Sequence, residues 1–144
     1  MTPLELAQRL VGEVAERPGP EDHPAIHWFH ETALVGRNVP DEVPWCSSFA
    51  NWVAWMCRLP RSKSAAARSW LNVGISIRLD QARPGYDVVV FKRGTNPQQG
   101  HVAFFAGMDG DKVHVVGGNQ SNNITQASFP VADVLGVRRL AVLL

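Results

Sequence analysis

Two hydrophobic periods divide this chain. Through residue 71 the apolar positions recur at helical spacing, and from residue 87 they gather into short β-branched runs. Leu6, Leu10 and Val14 repeat every four residues with Ala7 and Val11 beside them, which predicts a helix over Thr2–Glu16. Thr2 suits its cap, Pro3 its first turn and Glu5 its positive end. Arg17-Pro18-Gly19-Pro20 stops it. A short helix is expected over His23–Glu31, with Trp28 and Phe29 packing inward. Trp45–Arg58 is apolar nearly all round, the pattern of a central buried helix, with Cys57 as packing. Leu59-Pro60 ends it. Ser64–Leu71 is alanine-rich and predicts a further helix, closed by Gly74.

The second half reads as strands. Asp87–Phe91 follows the turn Arg83-Pro84-Gly85, and a loop from Lys92 to Gly100 leads to a strand over His101–Gly107. Asp109-Gly110 is a hairpin signal, and Lys112–Val116 returns as its partner. A last strand is expected over Ala141–Leu144, extended back to Val137–Leu140. Helices first and antiparallel strands after them define an α+β fold, expected as one domain over residues 1–144.

Composition narrows the function. A hydrophobic content of 45% with 19% charged residues fits a globular chain, and a net charge of +1 argues against nucleic-acid binding driven by bulk charge. No stretch approaches the ~20 apolar residues of a membrane span. The N-terminus carries Glu5, Arg9 and Glu13 among its apolar residues, unlike a signal peptide, so synthesis in the cytoplasm is expected, with action elsewhere only after release or export. Cys46 and Cys57 stand three helical turns apart, about 16 Å at helical rise, too far for a disulfide.

Candidate chemistry centres on Pro44-Trp45-Cys46-Ser47. A cysteine at a helix N-terminus feels the positive end of the dipole, which favours the nucleophilic thiolate. The competing reading is a buried cysteine that fills core space. A base decides between them, and His101 opens an apolar strand. If Asp109-Gly110 is a two-residue turn, Met108 pairs with Asp111, His101 faces Gly118, and Asn119 lies beside His101 across the ladder. The Asn119 amide oxygen then holds one imidazole nitrogen while the other faces the thiol. His114 would lie about 13 Å along the strand, unless a β-bulge shifts the count and makes it the orienting residue. His23, His27 and His30 at i, i+4 and i+7 form an alternative zinc-type cluster.

Trp45-Cys46-Ser47-Ser48-Phe49, Arg83-Pro84-Gly85, Gly100-His101-Val102-Ala103 and Gly117-Gly118-Asn119-Gln120 together resemble the CHAP/NlpC type of papain-like cysteine amidases and peptidases. More narrowly they are similar to a compact phage and prophage group with Pro-Trp-Cys-Ser and Gly-Gly-Asn-Gln segments. The resemblance spans the whole chain. It implies a helix-borne cysteine packed on a small antiparallel sheet, with peptidoglycan as the substrate. Carried over by position, it makes Cys46 the nucleophile, His101 the base and Asn119 the orienting residue. Trp45, Asp41 and Gln120 are candidates for lining the substrate groove. Acyl transfer through a thioester needs no metal or organic cofactor, and the chain is expected to act as a monomer without nucleic-acid or membrane partners. Two departures stand out. The usual Pro-Gly-Asp turn reads Pro84-Gly85-Tyr86-Asp87, one residue longer, and in NlpC-type relatives a strand histidine often fills the third place, which keeps His114 as a rival. Alternatives to a phage-type lysin are an antibacterial amidase effector, a catalytically silent wall-binding or phage structural module, and a metal hydrolase built on the three N-terminal histidines.

Overall fold

The structure, a computed structural model, describes residues 1–16, 23–36 and 44–141. Helices α1 (Pro3–Arg9), α2 (Pro24–Thr32) and α3 (Cys46–Met56) come first, then a 3-10 helix over Ala67–Asn72. Strands β1 (Ile75–Ile77), β2 (Asp87–Lys92), β3 (Gly100–Asp109), β4 (Lys112–Gln120), β5 (Asn123–Pro130) and β6 (Val134–Arg139) form one antiparallel sheet in the order β1-β6-β2-β3-β4-β5. The α+β expectation holds: N-terminal helices pack on a small antiparallel sheet in the papain-like arrangement.

α1 starts as its sequence predicts. The Thr2 hydroxyl accepts from the Glu5 N–H, and Glu5 accepts from the Thr2 N–H, a reciprocal cap. The helix ends at Arg9 rather than Glu16. Gly12 N–H donates to Ile124, Ile124 N–H to Val14 and Glu16 N–H to Asn122. The chain thus exchanges helical hydrogen bonds for pairing with β5, and these bonds meet part of an edge strand that would otherwise be open.

α3 is the centre of the fold. Every residue from Cys46 to Ala54 is buried. Phe49, Val53 and Trp45 meet Val88, Val90, Val102, Phe104 and Val116 from the sheet. The polar residues on this helix act as ties. Ser47 Oγ donates to the Ser64 carbonyl and accepts from Trp70 Nε1, and Asn51 bonds both the Ser64 carbonyl and the Lys63 N–H. These bonds tie residues 62–64 to α3 in a non-helical conformation, with Lys63 at φ 56°, so the helix expected over Ser64–Leu71 forms only as the 3-10 turn from Ala67. Ser48 Oγ contacts His30 Nδ1 at 2.8 Å and so ties α2 to α3. Phe29 is buried, whereas Trp28 stays half exposed, edge-on to Trp52 and Trp55.

The opposite face of the sheet has its own core of Val89, Phe91, Ala103, Phe105, Val115 and Val137. Phe91 on β2 and Phe129 on β5 lie 4.9 Å apart between ring centroids. In a flat sheet strands three places apart would be about 14 Å apart, so the sheet curls and these rings close over β3. The longer Pro84–Asp87 turn has a clear consequence. β2 begins at Asp87, whose buried carboxylate takes two bonds from Arg139 and one from the Arg83 N–H.

Two strands lay outside the sequence expectation, β1 and β5. The last strand is Val134–Arg139; residues 142–144, part of the expected Ala141–Leu144 strand, lie outside the described residues.

Candidate active site

The thiol of Cys46 sits on the first residue of α3, after Trp45. Trp45 makes no side-chain cap, which leaves the N-terminal turn to the field of the helix itself. Burial is the largest influence on this thiol and pushes its pKa up. The hydrogen bond and charge of His101, the Val102 backbone N–H and the charge of Arg93 oppose it. Together they hold Cys46 below the ordinary cysteine value. Cys57, at the other end of the helix, goes the opposite way: partial burial pushes it up, with smaller opposed effects from the chain's N-terminal charge and Glu5.

His101 is buried on β3, against the rings of Phe91 and Phe129. Its Nε2 lies 2.8 Å from Gln120 Oε1. The Gln120 amide is itself oriented, because its nitrogen donates to the Thr125 carbonyl at 2.8 Å and to the Thr125 hydroxyl at 3.2 Å. The amide oxygen must therefore be the atom that faces the ring, so Nε2 carries the hydrogen. Nδ1 is then the lone-pair nitrogen. It has no hydrogen-bond partner among the described residues, and the ring lies close enough to Cys46 to favour its thiolate. Cysteine, histidine and a glutamine amide thus line up in the order a thiol nucleophile requires.

The side chain set against His101 is that of Gln120 and not of Asn119. The expected register is altered at the turn and at two bulges, and the second bulge is the one that displaces Asn119. The β3–β4 hairpin turns at Gly110-Asp111, with Asp109 opposite Lys112, and its register shifts between Phe105 and Gly107. A second shift lies between Gly117 and Gln120 on β4. Asn119 there adopts φ 58°, in the left-handed region. Regular alternation would put residue 119 on the His101 face; the left-handed residue breaks the alternation and delivers Gln120 instead. His114 pairs with Gly107, about 20 Å along β3 from His101 at strand rise, and its Nδ1 contacts Ser128 Oγ.

The glycines of this segment are steric requirements. A Cβ on Gly118 would stand 2.6 Å from a ring carbon of Trp45 and 2.8 Å from Phe49 Cβ. One on Gly117 would meet Gln120 Oε1 and Ala103 Cβ at 2.8 Å each. Gly118 therefore lets the N-terminus of α3 seat directly on β4, and Gly117 leaves room for the amide that holds His101.

The groove candidates fare differently. Trp45 is wholly buried, stacks on Phe29 and donates to Glu16, so it is a core residue and not a groove wall. The reason is Gly118, which offers its ring a flat seat. Gln120 is buried on His101 rather than facing the groove. Asp41 lies outside the described residues. The cleft at Cys46 is lined instead by Pro44, the alanines at 65–67, Arg93, Gln98, Gln99 and Gly100. No sequence periodicity marks Arg93, because the loop that carries it has none. The N-terminal histidines do not form a metal cluster: among the described residues no group of three potential ligands converges. His23 caps α2 through Nδ1, and His30 is drawn inward to Ser48.

The family model of the CHAP domain matches residues 38–119, more than half of the chain and a span that holds both Cys46 and His101. Among solved structures, a protein from Staphylococcus aureus described as similar to lipoprotein, NLP/P60 family, is 18% identical with a TM-score of 0.49. The match covers 88% of this chain but 44% of that one, so the chain spans less than half the length of that protein. No curated protein matches the sequence significantly.

Proposed function

This chain belongs to the CHAP domain family, and from that premise we propose that it hydrolyses an amide bond of the peptidoglycan peptide with Cys46 as nucleophile. The observation that carries the reading is the alignment of the Cys46 thiol, the free-lone-pair nitrogen of His101 and the amide of Gln120. Family members are typically cysteine amidohydrolases of the cell wall, which gives the class of substrate and bond.

The chemistry is acyl transfer. His101 takes the thiol proton and Cys46 attacks the amide carbonyl carbon. The oxyanion forms close to the N-terminus of α3, where the Cys46 backbone N–H and the helix field favour negative charge. His101 returns its proton to the nitrogen as the C–N bond breaks, and the amine leaves. Water, deprotonated by His101, then attacks the thioester; the acid departs and the thiol is restored. Gln120 acts throughout as a positioning residue, holding the ring in one tautomer and orientation. The reaction draws on these side chains and on water alone.

The similarity of the Pro-Trp-Cys-Ser and Gly-Gly-Asn-Gln segments to a compact phage and prophage group favours a lysin that reaches the wall after release or export. The test is mass spectrometry of fragments from purified peptidoglycan treated with the parent protein and with Cys46→Ala. New termini of amine and carboxylate at a single amide type, absent with Cys46→Ala, are expected. Glycan cleavage, or equal release by both proteins, would refute the reading.

A further inference from the structure

The cleft at Cys46 has one charged wall. Arg93 lines it together with Gln98, Gln99 and the alanines at 65–67, and among the described residues no aspartate or glutamate does. Arg93 is exposed and has no ion pair or side-chain hydrogen bond among the described residues. Its neighbour Lys92, by contrast, reaches Asp133 at 3.9 Å. The wall is held in place. Arg68 donates from Nε to the Gln99 carbonyl at 2.8 Å, and within the loop the Gln98 N–H bonds Asn96 Oδ1 and the Gln99 N–H bonds the Asn96 carbonyl. Gly100 lies so close to β2 that a Cβ would meet the Phe91 carbonyl at 2.9 Å. A guanidinium that lines the cleft of a nucleophile beside this braced segment, without an ion pair among the described residues, is placed to receive an anion through its planar fork of donors.

We propose that Arg93 binds a carboxylate that the substrate carries close to the scissile amide, so that the cleft selects wall peptides with a free carboxylate over amidated ones. This rests on the reading of Cys46 as a wall-peptide nucleophile. The alanine wall supplies apolar contact without charge, and Gln98 and Gln99 supply amides suited to a peptide backbone. That Arg93 acts at the reacting centre is supported by its effect on the Cys46 thiol, which its charge helps to ionise. An arginine that served the thiol alone would speed all substrates equally; one that binds a carboxylate discriminates between them.

Two measurements on the full chain test this. In the first, Cys46 is alkylated with iodoacetate and with iodoacetamide, and labelling is read by peptide mapping, for the parent, Arg93→Gln and Arg93→Lys. The iodoacetate-to-iodoacetamide rate ratio should fall about three- to tenfold in Arg93→Gln, the range of a partly solvated charge-assisted contact, and less in Arg93→Lys. In the second, a soluble wall tetrapeptide and its fully amidated counterpart are compared as substrates, and Arg93→Gln should raise KM more for the carboxylate form, by a similar factor. An unchanged alkylation ratio, or equal losses on both peptides, overturns the proposal. A ratio that falls in a protein whose parent form cleaves neither peptide overturns the hydrolase reading and leaves the anion site standing.

Discussion

Gln120→Ala is the perturbation that most directly probes the site. It removes the amide oxygen 2.8 Å from His101 Nε2. The ring is only 3% exposed, so water does not readily replace the lost partner. A buried N–H left without an acceptor costs about 1–3 kcal/mol. If that cost falls on the oriented ring needed in the transition state, kcat/KM drops roughly five- to 150-fold. Asn119→Ala is the control. The Asn119 side chain makes no hydrogen bond among the described residues, but its φ of 58° favours asparagine over alanine. Its cost, about 1 kcal/mol, should appear in the melting temperature and leave turnover within a few-fold. Gln120→Glu adds a readout that a merely structural role would not move. A carboxylate at Nε2 favours the imidazolium, and the imidazolium favours the thiolate, so iodoacetamide labelling of Cys46 should persist to lower pH than in the parent. The assay set is kcat/KM on a wall peptide, thermal melting and labelling rate against pH for all three variants. Turnover lost in Asn119→Ala but kept in Gln120→Ala would refute the reasoning.

Three further predictions follow from the same geometry. Cys46 is held below the ordinary thiol value while burial raises Cys57, so near neutral pH iodoacetamide should label Cys46 first despite its deeper burial; its rate should fall only as pH drops through the lowered value, and labelling of Cys57 first would contradict the assignment. Gly118→Ala places a methyl 2.6 Å from Trp45 and should cost about 1–3 kcal/mol by urea unfolding, with activity falling further because the N-terminus of α3 must shift; an unchanged midpoint would show that the seat is not tight. Arg139→Ala leaves the Asp87 carboxylate, 1% exposed, without its two guanidinium bonds, and should destabilise by about 3 kcal/mol, read from denaturant unfolding, while a loss under 1 kcal/mol would mean that water enters.

The sequence made the fold class and two members of the candidate site legible. The apolar face of residues 46–56, the switch to β-branched runs and the hairpin signal are local patterns, and local patterns survive into the fold because burial requires them. Cys46 stood out for the same reason: a proline ahead of it and an apolar helix behind it mark a helix start. β5 did not, because Asn123-Ile124-Thr125-Gln126-Ala127-Ser128 carries only one buried residue in its first six and makes its case through pairing with β4. α1 was overextended because its C-terminal end is drawn away by Ile124, more than a hundred residues later in the chain.

What the tertiary structure alone decided is which amide meets His101 and which described residues line the cleft. Strand alternation is a parity rule, and the left-handed residue at Asn119 reverses parity for Gln120, the last residue of β4. The sequence contains the Gly-Gly-Asn run that permits such a bulge but not the choice to form it. That choice is made where Gly118 meets Trp45 and Gln120 meets Thr125, contacts between segments far apart or across a turn. Arg93 comes to line the cleft at Cys46 by the same route: 47 residues separate them along the chain, and only the folding of the loop after β2 toward the start of α3 brings them to one cleft.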